Sequence, residues 1–298
     1  MRDLEGRTAF VTGGASGLGL AMAEAFAGAG MKIVLADVDE QALAATAERF
    51  HGRNVPVLTI RLDVTDRDAF AAAARQAVDE FGAIHVLCNN AGVYRGGRLD
   101  AVTYEDWDWV MGVNVGGVVN GLQSVLPYIR QNAEGGHIVN TASMAGMTGI
   151  SGLGVYNASK FAVVGMSEAL RADLADQDIG VSVLCPGMVR TRILESERNR
   201  PEDLAPGSEE AEAAARAQSE LMNLAMTTGI DAGEVGQLVL DGVREDRFWL
   251  FTHPEMKQGW AARSDEILEA FGEPDPARME AQARLQAALG GSEDSGAA

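Results

Sequence analysis

Three side chains in one short stretch hold the parts of a proton-transfer machine: Tyr156-Asn-Ala-Ser-Lys160, with Ser143 upstream of the tyrosine. A spacing of four places the phenol and the ammonium on one face of a helix. A free tyrosine loses its proton at about pH 10, and a fixed positive charge beside it favours the phenolate, so Lys160 is placed to make Tyr156 a general acid/base near neutral pH. The plainer reading is a surface pair worth roughly 0.2–0.5 kcal/mol. The rest of the chain must decide between them.

Near the N-terminus an apolar run, Arg7 to Thr12, leads at once into Gly13-Gly-Ala-Ser16-Gly17-Leu18-Gly19 and then an amphipathic stretch from Leu20 to Ala29. This reads as strand, glycine turn, helix. Glycines let the backbone approach a ligand closely, and the free amides at a helix start attract a pyrophosphate. The pattern is G-x-x-x-G-x-G and not the commoner G-x-G-x-x-G. A second apolar run, Met31 to Ala36, ends in Asp37, close to where a dinucleotide fold places its ribose-binding acid. A carboxylate there accepts from two ribose hydroxyls and repels a 2′-phosphate, and no cation stands at Ala15, Ser16 or Val38, so NAD is expected over NADP. The competing role for Asp37 is to cap the helix beginning near Asp39.

Taken together the chain resembles the classical short-chain dehydrogenase/reductase family from about Leu4 to Thr252. The motifs that carry the resemblance are Thr12-Gly-Gly-Ala-Ser-Gly-Leu-Gly19, Asp63-Val64, Asn89-Asn90-Ala91-Gly92, Asn114, Ser143, Tyr156-x-x-x-Lys160 and Pro186-Gly187-Met-Val189-Arg-Thr191. The resemblance implies that Asp63 and Val64 flank the adenine, that Asn90, Ala91 and Gly92 line the cofactor cleft, and that Val113 and the 186–191 turn border the nicotinamide, with Thr191 near its carboxamide. It also implies a catalytic set of Asn114, Ser143, Tyr156 and Lys160. In that set Ser143 orients the substrate oxygen, Tyr156 exchanges the proton, Lys160 holds the ribose, and Asn114, on a distorted helix, helps hold a water leading to Lys160.

To position these groups the chain needs a sheet, and strand-like runs occur at 7–12, 32–37, 55–63, 84–89, 136–142, 180–185 and 248–252, alternating with helical patterns. The expected fold is α/β: one doubly wound Rossmann-type domain, 1–252, with a parallel seven-stranded sheet in the family order 3-2-1-4-5-6-7. Segment 192–230 is the family's substrate lid. Residues 253–298 read as a helical extension, with helices at 257–271 and 277–289 and a disordered end from Gly290, and not as a separate domain.

Composition narrows the function classes. A net charge of −19 argues against nucleic acid and anionic membranes, and no apolar run is long enough to span a bilayer. Without a signal peptide the expected location is cytoplasmic. Cys88 and Cys185 read as buried hydrophobes, and His51, His85, His137 and His253 are scattered, so no metal is expected. Only three of the 24 basic residues are lysines, and one falls on the tyrosine motif.

Substrate contacts are expected from Tyr94, Ser143, Met144, Met147, Leu221 and Met226, with Val93, Ala145 and Ile150 on the same side. The tail, with Tyr104-Glu-Asp-Trp-Asp-Trp109, resembles a subgroup acting on bulky apolar or aromatic alcohols, benzylic ones included. The leading function is therefore NAD-dependent hydride exchange with a small-molecule secondary alcohol or ketone. An extended-branch epimerase or dehydratase and a non-catalytic NAD(H) sensor are the alternatives. The family resemblance implies a homodimer or homotetramer.

Overall fold

Five residues of β1 (Thr8–Thr12) are all buried, which is possible only for a strand covered on both faces. In the computed structural model, which describes residues 1–205 and 209–290, alternate side chains of this strand divide the core. Phe10 joins Val34, Phe70, Ile129 and Val163 on one face, while Ala9 and Val11 join Phe26, Leu35, Val235 and Leu240 on the other. The remaining strands are β2 (Lys32–Asp37), β3 (Val57–Arg61), β4 (Val86–Asn89), β5 (Gly136–Thr141), β6 (Ile179–Cys185) and β7 (Trp249–Phe251). All neighbours pair in parallel, in the order β3-β2-β1-β4-β5-β6-β7.

One face is covered by α3 (Arg67–Phe81), α5 (Gly117–Gln131) and α6 (Gly154–Asp173). The other carries α1 (Gly17–Gly28), α2 (Glu40–His51) and α8 (Ala232–Glu245). Helices α1 and α8 cross closely because Gly236 has no side chain; a Cβ there would collide with the Ala21 carbonyl. Caps set several starts: Asp39 accepts from Ala42 N at 2.9 Å, Asp66 from Ala69 N at 2.9 Å, and Thr103 with Asp106 forms a reciprocal box on α4 (Tyr104–Met111). Each such cap is worth about 1 kcal/mol.

β3 is shorter than the 55–63 run because Pro56 has no N–H to give the ladder, although its carbonyl accepts from Ile33 N at 2.9 Å. The 192–230 segment holds short 3₁₀ turns at Ile193–Asn199 and Glu202–Leu204 and then α7 (Glu209–Met226). Chain contacts divide the protein into Met1–Pro254, which carries the sheet, and Glu255–Ala298. The latter contains α9 (Lys257–Glu269) and α10 (Pro276–Gly290), close to the two helices read from sequence. The stretch expected to be disordered, 291–298, lies outside the described residues. Among the described residues no helix is long and apolar enough to cross a membrane.

The carboxyl ends of β1, β2, β4, β5 and β6 all point to one edge of the sheet. β1 and β4, where the strand order reverses direction, leave a crevice between their loops at that edge, the usual ligand position in open α/β sheets.

Candidate active site

The loop after β1 is held in place from below. Thr12 Oγ1 accepts from Asn90 N at 2.9 Å and from Ala91 N at 3.1 Å, and Asn90 Nδ2 donates to the Thr12 carbonyl at 3.0 Å. Gly13 and Gly17 have φ of 63° and 52°, in the left-handed region, and a Cβ on Gly13 would stand 2.9 Å from Ala91 Cα. Ser16 precedes α1 in extended conformation and makes no side-chain cap, so the amides of Gly17, Leu18 and Gly19 have no side chain to receive them. That opening can take an anion. Thr191 closes it from the opposite side, its Cβ 3.4 Å from where a Gly17 side chain would begin.

At the end of β2, Asp37 accepts from Ala15 N at 3.0 Å through Oδ2 and from Asp39 N at 3.1 Å through Oδ1. The cap of α2 is Asp39, which leaves Asp37 turned towards the glycine loop with lone pairs to spare. Burial pushes its carboxyl up, and the backbone donors draw it partly back. Val64 is buried against Gly117, while Asp63 is exposed and folds onto Thr65, whose N and Oγ1 reach its Oδ1 at 2.9 and 2.8 Å. These donors and the close backbone approach fit a dinucleotide: amides for its pyrophosphate, and a carboxylate for ribose hydroxyls.

Tyr156 lies in the first turn of α6 and Lys160 one turn further on. Lys160 is buried, donates to the Thr141 carbonyl at 2.9 Å, and lies 5.6 Å from the centroid of the Tyr156 ring. Burial dominates both groups: it raises Tyr156 to about 12, with the Ser143 hydroxyl drawing it slightly back, and lowers Lys160 to about 8. The ammonium lies over the ring face, and for both groups desolvation outweighs charge stabilisation.

A π-helical turn, Gly112–Gly116, interrupts the path from α4 to α5 and contains Asn114. Such turns recur at functional sites because they shift a side chain out of the regular ladder. Asn114 Oδ1 accepts from Val93 N at 2.8 Å, and Nδ2 donates to the Val93 carbonyl and to Ser159 Oγ, both at 3.0 Å. A Cβ on Gly92 would lie 3.2 Å from Asn114 Oδ1 and 3.6 Å from Lys160 Nζ, so Gly92 is the gap through which these two groups approach. Ser143 accepts from Ala145 N at 3.1 Å and donates to the Pro186 carbonyl at 3.4 Å, which ties the loop after β5 to that after β6. Gly187 N donates to Thr252 Oγ1 at 3.0 Å, and Val189 is buried and bridged to Ile230.

On the substrate side, Tyr94 is buried edge-on against Tyr156, ring centroids 5.4 Å apart. Ala145 and Leu153 complete a small apolar cluster with it, and Ile193, Leu194 and Met222 pack on from the 192–230 segment. Met144 and Met147 behave differently from the sequence expectation: they lie in the main core with residues such as Val163 and Val164. The 3₁₀ turn Met144–Gly146 alternates its side chains, so Ala145 takes the Tyr94 side. Met226, the last residue of α7, is partly buried, and the side chain of Leu221 lies outside the described ones. Val93 packs with Trp109 and Val155, and Ile150 is exposed.

Sequence reasoning missed a buried ionic cluster beside this pocket. Arg95 Nε and Arg200 Nη1 reach the same Asp106 Oδ1 at 2.9 and 2.8 Å, Arg95 Nη1 pairs with Glu197 at 2.9 Å, and Arg200 stacks on Trp109 at 4.9 Å. Tyr94 N donates to Ser196 Oγ at 3.0 Å. The cluster fastens the 193–204 turns to α4 and to the loop after β4. Its members are 94 residues apart in sequence between Asp106 and Arg200, and no local pattern announces them. Among the described residues no group of three or more His, Cys, Asp or Glu is placed to hold a metal.

A doubly wound parallel sheet with a glycine loop at its switch point, and a serine, tyrosine and lysine converging near the Asn90–Gly92 segment that braces the loop, defines a nucleotide-dependent oxidoreductase of the α/β class. Residues 7–202 match the family model for short chain dehydrogenases, and the chain belongs to that family. It is 33% identical over 292 residues to a C alpha-dehydrogenase of Sphingobium sp. strain SYK-6, covering 96% of this chain and 94% of that protein. It is 35% identical over 260 residues to a CLA biosynthesis dehydrogenase/reductase of Lactiplantibacillus plantarum, covering 86% and 91%. Among solved structures, a short chain dehydrogenase/reductase from Burkholderia phymatum in complex with NAD superposes with a TM-score of 0.87 at 39% identity, covering 93% of this chain and 99% of that one. The apo form of LigO from Sphingobium sp. strain SYK-6 gives 0.78 at 39% identity, covering 96% and 98%.

Proposed function

We propose that the protein is an NAD-dependent dehydrogenase or reductase that interconverts a bulky, apolar or aromatic secondary alcohol and its ketone. The observation that carries the reading is the convergence of Ser143, Tyr156 and Lys160, with Lys160 beside Gly92, whose neighbours Asn90 and Ala91 brace the loop Gly13–Gly19, and with Asp37 facing that loop. Residues 1–252 are read as the catalytic domain and 192–230 as its substrate segment. NAD, when bound, supplies the hydride acceptor or donor. Gly17, Leu18 and Gly19 would hold its pyrophosphate, Asp37 its adenosine ribose, and Asp63, Val64, Asn90, Ala91 and Gly92 the adenine side and the floor of the cleft. Pro186, Gly187, Val189 and Thr191 would border its other end. The benzylic or otherwise bulky alcohol is supported by the apolar cluster around Tyr94 and by the Cα-dehydrogenase relative.

In oxidation Tyr156 takes the proton from the alcohol oxygen, and in reduction it returns one. Ser143 holds that oxygen in line. Lys160, whose pKa falls to about 8, stands ready to pass charge and protons within the working pH range. The π-turn presents Asn114 behind it. A sensor without chemistry would have no use for all four groups, and the single sheet domain favours a dehydrogenase over an epimerase with a larger second domain.

The test is cofactor choice and turnover together. NAD(H) should support oxidation or reduction of aryl alkyl alcohols or ketones with kcat/KM roughly 10- to 1,000-fold above NADP(H), the penalty of a phosphate beside a fixed carboxylate and two lost hydroxyl bonds. Asp37→Ala should erode that ratio, and arginine at Val38 should erode it further by pairing with the phosphate. Equal or better efficiency with NADP in the unaltered protein would remove Asp37 from the ribose.

A further inference from the structure

The apolar cluster against Tyr156 contains one group that packing alone does not account for. The Tyr94 hydroxyl is buried and has no hydrogen-bond partner, although its ring is fully used in packing. A phenylalanine would fill the same space without stranding a donor, and a buried hydroxyl without a partner keeps the whole cost of leaving water. Burial also drives its pKa upward, with the neighbouring Tyr156 adding to the shift, so the hydroxyl is a neutral donor throughout the working range.

A second polar group shares its surroundings. A Cβ on Gly96 would lie 3.0 Å from the Tyr94 hydroxyl oxygen and 2.9 Å from Gln218 Cγ, and one on Gly152 would lie 2.9 Å from Gln218 Oε1. Gln218 belongs to α7, and the two glycines make room for it. They belong to loops that are themselves joined, Gly97 N donating to the Gly152 carbonyl at 2.8 Å and Gly154 N to the Gly97 carbonyl at 3.1 Å. The loops after β4 and β5 thus form one rim, on which α7 rests through a polar side chain. Around this spot the contacts are apolar: Ala145, Leu153, Ile193, Leu194 and Met222.

We propose that Tyr94 and Gln218 together recognise a second oxygen on the substrate, beyond the reacting carbon. The Tyr94 hydroxyl donates to it from the fixed rim, and the Gln218 amide reaches it from α7. The proposal rests on the alcohol/ketone reading above and narrows its substrate class: a bulky aryl or alkyl ketone, or its alcohol, that carries an ether, hydroxyl or second carbonyl oxygen on its body. Such an oxygen would bridge the rim and α7, which already rests on it through Gln218. A purely hydrocarbon body would leave the Tyr94 hydroxyl unpaired.

The experiment uses the full chain with NADH and four ketones: propiophenone and its three ring-methoxylated isomers. Calorimetry gives binding and steady-state kinetics gives kcat/KM, for the unaltered protein, Tyr94→Phe and Gln218→Leu. At least one methoxylated isomer should bind about tenfold more tightly than propiophenone, the net worth of one neutral hydrogen bond. That ratio should fall to about one in Tyr94→Phe and should shrink in Gln218→Leu. The ratio is internal to each variant, so a general loss of folding or activity does not mimic the effect. A ratio near one in the unaltered protein, or one unchanged in Tyr94→Phe, overturns the proposal while leaving the reductase reading intact. The expected binding ratio without turnover of any ketone overturns the reductase reading and keeps the Tyr94 contact. Failure of all four ketones to bind overturns the substrate class.

Discussion

Tyr156 and Lys160 sit in a site where burial works against both charges. With Tyr156 raised to about 12 the phenol is neutral before a cofactor arrives, while Lys160, lowered to about 8, still carries its charge at neutral pH but holds the proton less firmly than a free lysine. Tyr156→Phe should therefore cost at least ~100-fold in kcat, the loss of a general acid/base, while NADH still binds by fluorescence titration. Turnover at the unaltered rate would sink the mechanism. Oxidation needs the phenolate and so should quicken as pH rises, whereas reduction needs the phenol and should hold or slow. A chemical step independent of pH in both directions, measured by single turnover, would contradict the assignment. The spacing of Tyr156 and Lys160 made this pair visible in the chain. That the lysine lies against the ring face and bonds the Thr141 carbonyl was not visible, because depth of burial depends on strands far from α6.

At the scale of elements, two buried polar clusters hold the framework. Asp106 serves twice, in the capping box of α4 and as the shared partner of Arg95 and Arg200. Asp106→Asn would leave two buried guanidinium groups sharing one carboxylate, the half-exposed Glu197, so that one buried positive charge goes uncompensated. The cost should be about 3 kcal/mol or more in urea unfolding, since an uncompensated buried charge is what makes such losses large. A change under ~1 kcal/mol would mean that water already reaches the cluster. In β5, His137 is fully buried with Nε2 at 2.8 Å from Ser182 Oγ, and burial lowers it from 6.5 to about 3. Its neutral form stabilises the fold above pH 6.5, the unfolded value, and that contribution is lost as pH falls towards the folded value. Below pH 6.5 the unfolding free energy should thus carry up to ~1.4 kcal/mol per pH unit from this proton, a slope that His137→Gln should remove. Identical pH slopes in the two proteins would show that the imidazole is protonated in the native state.

Over the whole molecule the excess of acid gives a net charge of −19. Self-repulsion destabilises the folded chain and salt screens it, so Tm should rise by several degrees between ~10 mM and ~0.5 M NaCl. A Tm that falls with salt would mean that specific ion pairs, such as those around Asp106, outweigh the general repulsion. Assembly into a homodimer or homotetramer, implied by family resemblance, is a separate proposal that sedimentation would test.

The strands, the glycine loop and the Tyr156–Lys160 spacing were legible in the chain because each rests on a local rule: strand periodicity, helix spacing, or a turn that only glycine allows. The strand order and Ser143 came with the family resemblance. For Asp37 the chain left two roles open, and only the structure shows that Asp39 takes the helix cap and leaves Asp37 facing the glycine loop. The lining of the pocket was not legible. Methionine is equally suited to a core and to a pocket wall, and only the direction of the 3₁₀ turn sends Met144 and Met147 inward and leaves Ala145 facing Tyr94. The Arg95–Asp106–Arg200 cluster and the meeting of Tyr94 with Gln218 join segments about a hundred residues apart. Such pairings carry no signature in a one-dimensional chain, because they are set by how the loops at the carboxyl edge of the sheet come together. Short-range chemistry was therefore written in the sequence, while the shape and polarity of what the site receives were decided by tertiary packing.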